Sequence, residues 1–381
     1  MGMAQDHICS VTSALVVGGG IGGMAAAISL AERGVAVSLI DLDPQWRVYG
    51  AGITITGPTL RAYRRLGLLD EIKREGAITS RTRLFRFDGT LLHILEEPVI
   101  EEGLPATGGI MRPTLHRIMQ RRVEQLALPV RLGVTVSAME ERDDAVNVTL
   151  SNGEEARYDL VIGADGVSST IRQLAFPHMQ PPRPTGQGCW RISIRKPPGL
   201  EDGEFFLGHD NPCGITLCGA DTVYLWMLTP HEDRENFMDD AELFRTLKAL
   251  LADFGGNAGW IRDTMTMNDW VNYRPLVAAL QPRPWSMGRV VLLGDAAHAT
   301  TPHLASGAGM AVESAIALAE ELASHDDVRA GLDAYEARRF DRCRDVIETS
   351  VAMGELQLAH RPPDQHANLL EGALCRLNQP F

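Results

Sequence analysis

No stretch of this 381-residue chain is apolar for long enough to cross a bilayer as a helix. The N-terminus, MGMAQDHICS, lacks the basic and apolar regions of a secretory leader, and Asp6 stands where a myristoylation signal needs Ser or Thr. A cytoplasmic protein without integral membrane association is the expectation. Cysteine is sparse: Cys9, Cys189, Cys213, Cys218, Cys343 and Cys375 are scattered, and no pair has CxxC or zinc-ligand spacing. A disulfide framework, a redox pair and a metal site are thereby excluded, and no metal is expected. Basic residues fall short of acidic ones, 36 against 49, for a net charge of -13. That balance argues against nucleic acid or an anionic membrane as partner, although a few local arginines suffice to hold a small anion. Internal repeats and low-complexity tracts are also missing.

What remains is globular: 45% hydrophobic and 22% charged residues, in a chain long enough for one large enzyme fold or two linked domains. The short apolar run Ala14 to Val17 ends in Gly18-Gly19-Gly20-Ile21-Gly22-Gly23. Small residues lead from there into a helix that stops near Gly34, and Val35 to Ile40 reads as a buried strand ending at Asp41. This is the opening of a Rossmann-type unit. Pro58 to Leu69 reads as a helix with an arginine-rich outer face. Arg81 to Phe87 and Thr90 to Leu95 flank an Asp88-Gly89 hairpin turn. Thr114 to Leu126 reads as a helix, and Val134 to Glu140 and Ala145 to Leu150 as strands before Asn152-Gly153. From Pro181 onward prolines cluster, and residues 182 to about 275 read as mostly antiparallel sheet with one helix near Ala241 to Phe254. Val290 to Leu293 is a buried strand, Gly307 to Ala323 a long helix of small residues, and Leu332 to Leu358 a last helix. The tail after Pro362 is expected to pack loosely.

Three motifs carry chemistry. In Gly18-x-Gly20-x-x-Gly23 the first glycine permits the tight turn, the second admits a pyrophosphate to the backbone, and the third lets helix and sheet pack closely. The helix N-terminus adds free N–H groups and partial positive charge, and Asp41 falls where an acid binds ribose hydroxyls. The second motif, Gly163-Ala164-Asp165-Gly166, follows a buried strand; Asp165 either serves a cofactor or caps the next helix. The third is Gly294-Asp295-Ala296-Ala297-His298, then Pro302 and Gly307-Ala308-Gly309. Asp295 suits a polyol, and a helix beginning at Gly307 suits a group that becomes anionic. His298 reads more readily as structural than as catalytic.

In this order the motifs resemble the class A flavoprotein monooxygenases, the para-hydroxybenzoate, salicylate and 6-hydroxynicotinate hydroxylases. Gly50-Ala51-Gly52-Ile53, Arg65-Leu66-Gly67-Leu68 and Met111-Arg112-x-x-Leu115 extend the likeness across residues 14 to 350. The resemblance implies an α/β fold: a Rossmann-like, glutathione-reductase-type FAD-binding domain (11–80, 98–181 and 280–330), an inserted, mainly antiparallel substrate domain (81–97 and 182–279), and a C-terminal helical segment (331–381). It places Gly18, Gly20, Gly23 and Asp41 on the ADP half of FAD, and Arg112, with Arg47 behind it, beside the ribityl–pyrophosphate linkage. Asp165 and Gly166 serve the cofactor, Gly294 and Asp295 the ribityl chain, and Gly307, Ala308 and Gly309 the pyrimidine edge. Pro302 borders the substrate.

The implied activity is monooxygenation of a small aromatic substrate, with NADH or NADPH as donor, O2 as oxidant and a flavin C4a-hydroperoxide as oxygen carrier. His303, and more weakly His209, are the candidate bases for a phenolic substrate, and Arg191 the candidate partner of a substrate carboxylate. Monomer and homodimer both fit. Ala305-Ser306 stand where many members have Gly-Gln, and Ser314 where many have Asp, so no particular substrate transfers. A second Gly-x-Gly-x-x-Gly and the tryptophan-rich motif of flavin halogenases are absent. Two rivals remain: a reductase or dehydrogenase on the same fold, like the geranylgeranyl reductases, and a non-catalytic flavin-binding regulator.

Overall fold

The computed structural model describes residues 9–48, 50–142, 144–231 and 238–381. The reading of the extreme N-terminus, Asp6 included, and of residues 232–237 within the antiparallel region lies outside the described residues.

The sheet behind the glycine turn is parallel. Strand Ser13–Val17 lies between Ala36–Asp41 and Leu160–Gly163, with Val130–Leu132 and Val290–Leu292 beyond them; Ser286–Met287 closes one edge antiparallel. Its central strands are continuous apolar runs because both faces are covered, as parallel sheets require. The helix Ile21–Ala31 is buried from Gly23 to Leu30, which fits its all-round apolar, small-residue composition. It packs on the second helix of small residues, Gly307–Ser324. An antiparallel meander (Val136–Arg142, Ala145–Leu150, Glu155–Tyr158) flanks this layer.

The second large sheet has seven strands. From one edge they run Val271–Leu280, Arg183–Arg195, Thr222–Pro230, Cys213–Leu217, Gly203–Leu207, Arg81–Arg86 and Leu91–Glu96. Every neighbouring pair is antiparallel except Gly203–Leu207 with Arg81–Arg86. The expected α/β architecture, with a mainly antiparallel sheet beside the nucleotide layer, is thus present. One face of this sheet buries Trp190, Ile192, Leu225 and Met227 under helices Asp240–Leu250 and Gly256–Thr264. The second of these helices was not anticipated; Gly256, at φ +57°, separates it from the first. A small sheet of Gly52–Thr56, Thr107–Met111 and Ala77–Thr79 joins the two layers, and Thr54 Oγ1 lies 3.1 Å from Thr216 Oγ1 across the junction.

Three expectations need correction. The helix read from Pro58 to Leu69 ends at Arg65, because Gly67 turns left-handed at φ +70°; a new helix runs from Leu69 to Glu75. Its arginine face is not wholly outward either, since Arg61 is buried and donates to the carbonyls of Asn378 and Gln379. Nor is the tail loose. Residues Pro363–Leu377 form a helix docked on the 31-residue helix Val328–Leu358, which is about 46 Å long. Arg342 holds its end by donating to the Arg376 and Leu377 carbonyls.

Candidate flavin site

Gly18 leaves the first strand at φ +107°, and a Cβ there would lie 2.4 Å from the Ala164 carbonyl oxygen. Two of the three motifs therefore meet backbone to backbone. At Gly23 a Cβ would lie 1.8 Å from the Gly18 carbonyl oxygen, so helix and turn touch only because no side chain intervenes. Gly20 differs. Its φ is -75°, which any residue adopts, and a Cβ there would meet nothing within 4 Å. It begins the helix without a side-chain cap, so open space and unsatisfied N–H groups face the same way.

The Gly19 peptide is fixed from both sides. Its N–H donates to Asp41 Oδ2 at 2.6 Å; its carbonyl accepts from Trp46 Nε1 at 2.9 Å and faces His116 Nε2 at 3.1 Å. A carbonyl only accepts, so that imidazole carries its proton on Nε2. Burial lowers the His116 pKa, which keeps the ring neutral. Asp41 Oδ1 accepts the Asp43 N–H at 2.7 Å, and each carboxylate oxygen keeps a second lone pair for a ribose hydroxyl. Arg47 folds back on Asp43 at 3.2 Å, on the loop outside this turn.

Asp165 does not present its carboxylate to the turn. Oδ2 accepts the Thr170 and Ile171 N–H groups at 2.6 and 3.1 Å, and the other oxygen accepts the Ser169 hydroxyl. It holds the first N–H groups of helix Thr170–Ala175 beside the N-cap Ser169, whose hydroxyl accepts from Arg172 N, and what this motif brings against Gly18 is backbone. Gly166 supplies the left-handed residue at φ +81°. Arg172 then ties the second motif to the third, donating to Val167 O at 2.7 Å and Ala296 O at 2.9 Å.

Gly294, at φ +63°, turns the chain into the short helix Asp295–His298. Asp295 is exposed although its neighbours from Val291 to Gly294 and from Ala296 to Ala299 are buried. The surrounding protein nevertheless raises its pKa by desolvation, against the opposing charges of His298 and Arg112. Asp295 is thus open to solvent on one side and crowded by protein on the other. His298 faces the other way. Its Nε2 lies 3.0 Å from Ser314 Oγ, and burial, then the Arg339 charge, lower its pKa to about 4. The helix from Gly307 also starts without a side-chain cap, so its positive end is free. Ala308 lies at that end, and Gly309 lets it approach Thr59, whose Oγ1 would lie 2.1 Å from a Cβ. Arg112 lies across Gly50, forms no ion pair among the described residues, and acts on Asp295, Tyr63 and Tyr224 through its charge.

The face of the seven-stranded sheet away from its two helices packs in part on the long helix Val328–Leu358 and, at Tyr224, on Gly52. Along Arg183–Arg195 the residues Cys189, Arg191 and Ser193 alternate with the core residues Trp190, Ile192 and Ile194. Tyr224 bonds Arg191, and burial pushes both its hydroxyl and the Cys189 thiol up, so both are neutral. No carboxylate pairs with Arg191 among the described residues. Pro302 is exposed. His303 turns beneath the long helix: Nδ1 lies 2.9 Å from Thr301 Oγ1, its ring abuts Gly354, and burial lowers its pKa to about 4. His209 is not brought to this side of the sheet. Its ring lies 4.0 Å from that of Phe87, which packs with the helix-covered face.

A family described as an FAD binding domain matches residues 11–350. The chain belongs to the class A flavin monooxygenases. This flavoprotein is 32% identical over 351 residues to YetM of Bacillus subtilis, spanning 91% of this chain and 94% of that one. It is 32% identical to the 2-heptyl-3-hydroxy-4(1H)-quinolone synthase of Mycobacteroides abscessus, over 95% and 94% of the two chains. Its fold matches Klebsiella pneumoniae HpxO in complex with FAD and uric acid, with TM-score 0.83, 24% identity and coverage of 97% and 93%. FAD is the cofactor of this flavoprotein, and the open space at Gly20, the bare helix start at Gly307 and the solvent-open Asp295 fit such a group. Trp46 and His116, which organise the first turn, were not singled out from the sequence, although His116 directly follows the Arg112-x-x-Leu115 segment; Arg172 closes the run that begins with the second motif.

Proposed function

We propose that this flavoprotein uses NADH or NADPH and O2 to hydroxylate a small aromatic or heteroaromatic substrate bearing an anionic group. The observation that carries the reading is Arg191: half-buried on the side of the sheet away from its helices, bonded to Tyr224, and lacking a carboxylate partner among the described residues. A half-buried cation without a counter-ion is costly, and a ligand carboxylate or acidic heterocycle relieves that cost. Among the relatives, the urate hydroxylase of Klebsiella pneumoniae, 29% identical over 88% of this chain, is named for an acidic heterocycle.

FAD supplies the oxygen-activating redox chemistry when bound. The chain binds and orients. Gly18, Gly20, Gly23 and Asp41 receive the ADP half, and Arg112 lies beside the phosphates. Gly294 and Asp295 meet the polyol chain, and Gly307, Ala308 and Gly309 direct a positive helix end at the ring. The sheet formed by residues 81–97 and 182–279 supplies the substrate wall. Arg191 sets the substrate's direction, and Pro302 closes the cleft end. His303 is neutral near pH 7, and with burial lowering its pKa to about 4 it is a weak base, held between Thr301 and the long helix.

The test is NADH and NADPH oxidation with hydroxybenzoates, pyridine carboxylates and purines, with product mass recorded. One compound should stimulate oxidation and gain one oxygen atom. For that compound Arg191→Met should raise KM about 10- to 150-fold, the worth of a charged hydrogen bond. If no acidic compound is oxygenated while a neutral one is, the assignment of Arg191 is wrong. If none is oxygenated at all, the monooxygenase reading of this cleft fails.

A further inference from the structure

The strand Leu91–Glu96 ends the seven-stranded sheet, and no described strand pairs with its outer side. All six of its residues are exposed. Four are large aliphatics: Leu91 is 47% exposed, Leu92 49%, Ile94 38% and Leu95 45%, and Val99 beyond them reaches 62%. An exposed edge of this kind is a template for another strand, and soluble chains normally blunt it with lysine, proline or a covering loop. Leu91 to Glu96 contains neither lysine nor proline.

The hydrogen bonds fix which groups are free. Glu97 N donates to Ser80 O, and Leu95 and His93 lie opposite Thr82 and Leu84 on the inner neighbour. Alternation then turns the peptide groups of Ile94 and Glu96 outward, and a register shift opposite Leu84 and Phe85 makes Leu92 the extra residue of a bulge. The strand's ends also differ in charge. Glu96 and Glu97 stand at its C-terminal end; Arg86 stands beside its start, across from Thr90, with its side chain 52% exposed while it pairs with Asp88 at 2.8 Å. An antiparallel neighbour of identical sequence brings the acidic end of one strand to the basic end of the other. A parallel one would set like against like.

We propose that this edge pairs with itself, joining two copies of the chain in a two-fold dimer through Leu91–Glu96. With the axis at His93, outward-facing Ile94 meets the partner's Leu92, Leu91 lies opposite the partner's Leu95, and Glu96 reaches the partner's Arg86. All four aliphatics of each copy leave water, and the two seven-stranded sheets become one. The contact is isologous and closed, so it ends at a dimer and does not propagate. None of the three flavin motifs lies in it.

Sedimentation equilibrium of the FAD-loaded protein tests this. The wild type should be a dimer. The double variant Leu92→Lys with Ile94→Lys sets lysine against lysine across the axis and should raise the dissociation constant more than about tenfold, with the bound-flavin spectrum unchanged. Glu96→Arg should weaken the dimer, and adding Arg86→Glu should restore it, a rescue that a merely unfolded edge would not show. A monomeric wild type, a lysine variant that stays dimeric, or flotation of the wild type with lipid vesicles in a Leu92- and Ile94-dependent way would each overturn the proposal.

Discussion

Gly20 and Gly23 belong to one motif but owe their identity to different partners, and alanine at each position separates them. At Gly23 the added carbon would sit 1.8 Å from the Gly18 carbonyl oxygen, far inside contact distance, and the obstacle is backbone. Overpacking of that kind costs about 1–3 kcal/mol, and it falls on the protein whether or not FAD is present. At Gly20 the added carbon meets no protein atom within 4 Å, and the backbone already lies at φ -75°. Gly20→Ala should leave apoprotein stability within about 0.5 kcal/mol of wild type. With pyrophosphate against this turn, the same methyl intrudes on the ligand. A comparable cost of about 1–3 kcal/mol, charged to the complex alone, weakens FAD about 5- to 150-fold. The assays are thermal melting of apoprotein and flavin-fluorescence titration. Wild-type FAD affinity in Gly20→Ala would refute the argument, because the space beside Gly20 would then not hold the cofactor.

Asp165→Ala should cost about 0.5–2 kcal/mol in urea unfolding, through loss of its bonds at the helix start, and leave FAD titration unchanged; weakened FAD with full stability would mean the carboxylate touches the cofactor. His298 and His303 have folded pKa values lowered from 6.5 to about 4, so their contribution is complete above pH 6.5 and disappears as pH falls toward 4. Each accounts for roughly 2–3 kcal/mol of that loss, and His298→Gln should flatten the fall in urea midpoint between pH 6.5 and 4; an unchanged slope would show that other groups govern it. Glu313 is buried between Arg339 at 2.9 Å and Arg342 at 2.8 Å, so Glu313→Gln should cost about 3–5 kcal/mol by leaving Arg339 uncompensated. A loss under about 1 kcal/mol would mean that water reaches this cluster.

The nucleotide layer was legible because its signals are local. Glycine spacing, the apolar run Ala14 to Val17 and Asp41 at a strand end all reflect contacts within one strand–turn–helix unit. The docked C-terminal helix was illegible for the opposite reason: Arg61 and Arg342 hold it through carbonyls more than thirty residues distant in sequence. Asp165 shows a subtler limit. An acid after a buried strand satisfies both a capping and a cofactor pattern, and the hydrogen bonds to Thr170 and Ile171 show the first of these. For the histidines, sequence indicates neither face nor depth. His303 and, more weakly, His209 were both candidates until one was found set under Gly354 and the other packed against Phe87.

The alternation along Arg183–Arg195 bears on how such a protein diversifies. Even-numbered Trp190, Ile192 and Ile194 face the helices, while odd-numbered Cys189, Arg191 and Ser193 face the other side of the sheet, the proposed substrate wall. Stability and, on that proposal, ligand choice are written on the same strand in interleaved letters. A lineage, or a combinatorial library, can rewrite the odd letters and explore new substrates while the even ones continue to hold the scaffold.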